Sequence, residues 1–106
     1  MPSTYQVVRQ AIIEKHQVIA DYDGYRREMC PHAIGRKKDR EQALFYQFGG
    51  DSKSGLDPAP ESPKNWRCIP IDGLSGVSTQ PGTWHTAPSH SRRQTCFDEI
   101  DVEVFF

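Results

Sequence analysis

One hundred and six residues with 13 basic and 14 acidic side chains fit a single small domain, 1–106. A chain this short buries only about 60–65% of the surface it exposes unfolded, so it builds one modest core. The formal charge of -1 excludes a strongly cationic nucleic-acid coat and the highly charged disordered class, and eight Gly with eight Pro favour short strands and turns over a helical bundle.

The first predicted element is a helix. Ser3 followed by Gln6 is a capping-box pattern, in which each side chain satisfies a free amide of the first turn. Tyr5, Val8 and Ile12, with Val7 and Ala11, then recur at helical spacing, predicting a helix from about Thr4 to Lys15. It is too short to stand alone and must lay its apolar stripe on something.

A sheet follows. His16 to Tyr22 alternates, with Val18, Ala20 and Tyr22 on one face and Ile19 and Asp21 on the other. Asp23-Gly24 suits the two-residue primed turn of a hairpin, which needs positive φ. The return strand, Tyr25 to about Ile34, contains Pro31, which implies an edge, a bulge or a bend. Ala43 to Phe48 is apolar on both faces, as a central strand would be. Trp66 to Ile71 comes next, with Gly73 to Ser78 as a short continuation. Ile100, Val102, Val104 and Phe106 alternate with Asp101 and Glu103 in a half-exposed last strand. Ser52 to Asn65 and Gln80 to Thr95 read as long polar loops, and loops of that length in so small a domain are often functional. The fold class is mainly β with one N-terminal helix: a small, strongly bent sheet or barrel of about five strands, with the helix packed across it.

Three widely spaced cysteines, Cys30, Cys68 and Cys96, are an odd set, whereas a small secreted chain usually carries an even disulfide framework. That favours a reducing compartment. The polar start lacks a signal peptide, and the longest apolar runs are far below the ~20 residues that span a bilayer, so a cytoplasmic location is expected and no membrane partner.

Cys30 and His32 share a face on an unbroken strand, and His85 and His90 share a loop, but neither spacing is that of a structural zinc site. A buried thiol and surface histidines are expected instead, with no metal and no cofactor. Cys68 and Cys96 read as core or near-core residues. No acid–base pair, nucleophile constellation or phosphate-cradling glycine loop stands out, which argues against an enzyme.

The charge is unevenly distributed. Residues 26 to 40 hold six bases against two acids, and residues 97 to 106 hold four acids and no base. Bases interleaved with Tyr22, Tyr25, His32 and Tyr46 suit an anionic ligand or a single nucleic-acid strand. Lys37, Lys38 and Arg40 read as a solvated hairpin flank. Arg27 and Arg67 differ, because each sits within a predicted strand, where an idle guanidinium is unfavourable without an acceptor.

In order, Ala11-Ile12-Ile13-Glu14-Lys15-His16, Val18-Ile19-Ala20-Asp21-Tyr22-Asp23-Gly24, Arg27 four residues before Pro31-His32-Ala33-Ile34-Gly35, Leu44-Phe45-Tyr46-Gln47-Phe48-Gly49-Gly50 and Trp66-Arg67-Cys68-Ile69-Pro70-Ile71-Asp72-Gly73-Leu74 resemble the WYL domain, in particular its small stand-alone bacterial relatives. The resemblance extends more loosely to the last strand. It implies a Sm-like small barrel with an N-terminal helix, acting as a ligand sensor for nucleotides or nucleic acid. By position it implies ligand-binding roles for Tyr22, Arg27, His32, Tyr46 and Arg67. The literal Trp-Tyr-Leu is absent, the site reading Phe45-Tyr46-Gln47, and no DNA-binding helix pair precedes the domain.

The expected function is non-enzymatic recognition of an anionic ligand, a nucleotide or short nucleic acid, in a regulatory setting. Arg27 and Arg67 would supply charge, Tyr46 stacking, and His32 and Tyr22 the rim. The alternative is a protein-interaction module, a homodimer or the partner of a separate regulator, pairing through the acidic C-terminal strand and Phe105-Phe106.

Overall fold

A computed structural model describes residues 3–50, 65–85 and 96–103. Helix α1 (Thr4–Glu14) opens with the expected capping box: Ser3 Oγ accepts from the Gln6 amide at 3.2 Å, and Gln6 Oε1 accepts from the Ser3 amide at 3.2 Å. Lys15 ends it in the left-handed region at φ 56°. Val8, Ala11 and Ile12 are its buried stripe. Ser3→Ala removes one cap acceptor and is expected to destabilise the domain by about 1 kcal/mol. Thermal denaturation should read this as a drop in Tm of about 5 °C.

Six strands follow: β1 (Gln17–Tyr22), β2 (Tyr25–Lys37), β3 (Arg40–Gly50), β4 (Trp66–Pro70), β5 (Ser75–Gln80) and β6 (Glu99–Glu103). They form one antiparallel sheet of order β4-β3-β2-β1-β5, with β6 also paired to β2. The fold is therefore mainly β with one N-terminal helix. Among the described residues the sheet has six strands and is not closed. Both β-hairpin turns use residues with positive φ, Asp23 (54°) with Gly24 (79°) and Lys38 (49°) with Asp39 (65°), as primed turns require. Lys37 is the last residue of β2.

The segment after Trp66 is not one strand with a continuation. A 3₁₀ turn, Ile71–Gly73, separates β4 from β5, and these strands lie at opposite ends of the strand order. Five residue steps from Pro70 to Ser75 reach at most about 17 Å. Four strand spacings in a flat sheet span roughly 19 Å, and the 3₁₀ turn shortens the reach further, so the sheet bends. The bend gathers Val18, Ala20, Met29, Ile34, Ala43, Phe45, Ile69, Ile71 and Leu74 beneath α1 as the main core. On the other face Ala33, Leu44, Tyr46, Trp66, Cys96 and Phe97 form a second cluster.

Pro31 marks a bulge, one of the three outcomes its position implied. Pro31 opposes Phe45 and Ala33 opposes Leu44, so His32 is the extra residue of β2. Pro31 also lies where β2 stops pairing with β1, after Met29, and begins pairing with β6, at Ala33. A residue without an amide proton is tolerated at such a changeover. Two more bulges make Phe48 the extra residue of β3 and Asp101 that of β6. Asp101 turns to α1, accepting from Tyr5 Oη at 2.7 Å and Arg9 Nε at 3.1 Å.

The cysteines correct the sequence reading. Cys68 and Cys96 are joined in a disulfide, and Cys30 is the buried free thiol among the three. Cys68 is exposed rather than near-core. An odd count here is one bridge plus one core residue, so cysteine number no longer argues for a reducing compartment. No helix among the described residues is long and apolar enough to cross a membrane. The loop expected at 52–65 lies outside the described residues except for Asn65. Within 80–95 only 80–85 is described. The proposed Phe105-Phe106 edge also lies outside them.

Candidate functional site

Period-2 alternation sorts the five expected ligand residues onto two faces. Tyr22 ends β1 on the side of Val18 and Ala20, and Arg27 shares the side of Met29. Arg67 lies on the side of β4 that carries Ile69, opposite Phe45. His32 and Tyr46 belong to the other face, against Trp66. The five therefore do not form one site.

Arg27 is the centre of the first group. It is 4% exposed, and its guanidinium carbon stands 5.0 Å from the Tyr22 ring centroid and 6.0 Å from that of Tyr25. Its Nη1 donates to Gln47 Oε1 across a long 3.5 Å. Nε has no hydrogen-bond acceptor, and Arg27 forms no ion pair among the described residues. Burial lowers the Arg27 pKa, against the opposing pull of Tyr22, Asp23 and Tyr25, but an arginine stays charged. A buried cation with no ion pair among the described residues, held by aromatic faces, one neutral amide and the longer-range charge of Asp23, is unusual, because desolvated charge is normally paired at short range. Neighbouring Arg26 is different: it is exposed and stands 3.7 Å from exposed Asp21, a pair of small energetic weight.

The backbone beside Arg27 is held close by glycine. Gly50 opposes Arg27 at φ 77°, and a side chain there would come within 2.3 Å of the Arg26 carbonyl oxygen. Tyr25 also borders a cleft of about 430 Å³ at the β1–β2 hairpin, walled by Ile19, Arg26, Glu28, Gly50 and Gln80.

The second group is an aromatic box rather than a rim. His32 is 2% exposed, with its ring 4.7 Å from Trp66 and 4.9 Å from Trp84. Its Nδ1 lies 2.9 Å from the Cys30 carbonyl oxygen, so Nδ1 carries the proton and donates. Burial pushes the His32 pKa down to about 4, the Cys30 carbonyl opposing, and the ring is neutral at pH 7. Its expectation as a surface histidine at the rim is thereby corrected. Tyr46 is 4% exposed and makes a T-shaped contact with Trp66 at 5.2 Å, so its ring is engaged within the fold. Burial also pushes the Cys30 thiol up to about 11, partly offset by the His85 amide that donates to its sulfur at 3.3 Å. A thiol so held is a core residue, not a nucleophile.

Sequence reasoning missed Gln47, Trp84 and the purpose of the bulges. His32 and Phe48, the extra residues, hold the stretch after β5: His32 packs on Trp84, and Phe48 stacks on His85 at 4.3 Å. The available signal for Gln47, which the fold buries fully, is a glutamine inside the apolar run from Ala43 to Phe48. No protein-family model, curated protein or solved structure matches the chain. The reading of function rests on Arg27 and its surroundings.

Proposed function

We propose that the domain binds an anionic ligand, a nucleotide or short single-stranded nucleic acid, with Arg27 as the charged contact and Tyr22 and Tyr25 as its aromatic walls. The observation that carries this is a buried guanidinium whose Nε has no acceptor and which has no carboxylate within ion-pair distance among the described residues. A phosphate would supply the missing acceptors, and charge-assisted bonds of this kind contribute about 1.5–3 kcal/mol each. Arg67, on the same side of the sheet, is the second cation of the proposal; His32 and Tyr46 support the fold behind it. The WYL-like, Sm-like barrel reading belongs to this proposal too, supported by the helix-first order, the strand order and the bent sheet. So does a cytoplasmic setting.

Arg27→Met tests it. Nucleotides and single-stranded oligonucleotides, titrated at low and moderate salt, should bind the native chain salt-sensitively and the variant at least roughly tenfold more weakly. Stability should stay level or rise by up to about 1 kcal/mol, because the variant removes a desolvated charge that has no ion pair among the described residues. A loss above about 2 kcal/mol would make the guanidinium a structural group instead. Absence of binding by any of these anions would remove the proposal.

A second reading has one observation behind it. Among the described residues β6 pairs only with β2, leaving an acidic outer strand of Glu99, Asp101 and Glu103. Such an edge suits strand pairing with a second copy or a basic regulator. A monomer by light scattering at high concentration excludes the self-paired form.

A further inference from the structure

The tip of the β2–β3 hairpin carries a charge arrangement that the Arg27 reading does not use. Lys37 stands directly opposite Arg40 in the register, so two cations share one face. Like charges in directly opposed strand positions are unfavourable. Arg36 and Glu41, one step away, oppose each other on the reverse face, where they form an ion pair at 3.9 Å. Arg36 also faces Glu99 of β6. Alternation therefore places Arg36, Glu41 and Glu99 on one face of the tip and Lys37 with Arg40 on the other.

The neighbouring groups sharpen that asymmetry. Lys37, Lys38, Arg40 and Gln42 line a depression of about 240 Å³. Neither the Lys38 ammonium nor the Arg40 guanidinium makes an ion pair among the described residues. Asp98, the nearby acid, spends a carboxylate oxygen on the Lys38 backbone amide at 2.9 Å, and its own amide donates to the Arg36 carbonyl at 2.8 Å. Asp39 lies in the turn itself, at φ 65°. The base of the depression is fixed by Gln42, whose Nε2 donates to the Cys96 carbonyl oxygen at 2.6 Å, beside the disulfide. Both strands of the tip are thus pinned to the segment 96–98.

We infer that this depression is a second, separate anion site, fitted to a phosphate group held by Lys37, Lys38 and Arg40. Three cations converging on one concave surface match the charge of a phosphate, and a planar guanidinium with two ammonium groups suits its oxygens. The site lies at the opposite end of β2 from Arg27, roughly 30 Å away along an extended strand, and does not depend on the Arg27 reading.

The test uses amide chemical shifts of the native chain at low ionic strength, titrated with pyrophosphate and separately with a short oligothymidylate. Saturable shifts confined to residues 36–42 and 96–98 are expected, retained in Arg27→Met and weakened roughly tenfold in Lys38→Gln/Arg40→Gln. Both substituted side chains are outside the core, and an unchanged thermal midpoint verifies that the double variant folds. Saturation by pyrophosphate alone identifies a free or terminal phosphate as the ligand, and saturation by both identifies a phosphate group in either form. Linear shifts matched by sodium chloride at equal ionic strength, or equal affinity in the double variant, overturn the site.

Discussion

Reduction of the Cys68–Cys96 bond is expected to lower the unfolding free energy by about 3–4 kcal/mol. The bond joins positions 28 residues apart, and chain-entropy reasoning for a loop of that length gives this magnitude, because the unfolded chain gains the conformations that the cross-link denied it. What the bond restrains in the folded state is specific. It ties Cys96, just ahead of β6, to β4 on the far side of β3. Without it, β6 would be held by its ladder to β2, by Asp98 against Arg36 and Lys38, and by Asp101 against Tyr5 and Arg9. The last of these are exposed contacts of small individual weight. Urea unfolding with and without a dithiol reductant should separate the two forms, with Cys68→Ser matching the reduced curve. Coincident midpoints would show that the tether contributes nothing. Thiol counting gives an independent check: the folded chain should present no reactive thiol, because Cys30 is buried with its pKa raised, and reduction should present the exposed Cys68, with Cys96 buried in the second cluster. In a reducing compartment the domain would have to function without this contribution.

Local chemistry was legible in the sequence, and long-range placement was not. Ser3 with Gln6, and Asp23 with Gly24, act through bonds and dihedrals within a few residues, so their outcomes follow from residue type. The position of β5 depends on a pairing with β1, more than fifty residues earlier, and a four-residue connection through Ile71–Gly73 gives no sign of which edge it reaches. The disulfide escaped for the same reason: Cys68 and Cys96 meet only because β3 lies between β4 and the segment leading into β6, with Gln42 touching both sides. Compartment reasoning from an odd cysteine count could not see that geometry.

The candidate site divides along the same line. Arg27 stands out in the sequence as a base within a strand, and the fold buries it with no acceptor for Nε. Grouping it with His32 and Tyr46 relied on sequence order, and strand faces overrode it. Arg27 and His32 are an odd number of positions apart, and His32 is moreover the residue expelled from the β2 ladder by the bulge at Pro31. Bulges reset alternation, and a proline in a long strand announces one without saying which neighbour will be displaced.

His32 supports the second large expected effect, an acid-sensitive stability. The folded chain holds this ring neutral, with its pKa moved from the ordinary 6.5 to about 4 by burial between Trp66 and Trp84. In the unfolded chain the ring protonates as pH falls through about 6.5, while the folded chain resists until about 4. Between those values the unfolded state binds more protons, so stability is full above the unfolded value and falls as pH drops. At about 1.4 kcal/mol per pH unit, the loss attributable to His32 reaches roughly 3 kcal/mol by pH 4. Asp101, whose pKa is lowered chiefly by the Tyr5 hydroxyl, contributes in the same direction but only below the ordinary carboxylate range. The decisive measurement is the difference between the native chain and His32→Phe in urea unfolding from pH 7.5 down to 4.5. Phe keeps the ring volume in the box and loses the bond to the Cys30 carbonyl, so the variant should begin less stable at neutral pH and lose less on acidification. Parallel curves would mean that the ring is hydrated or already charged in the fold. Converging curves would identify the buried His32 ring, held between Trp66 and Trp84, as a group whose protonation on unfolding makes the domain acid-sensitive.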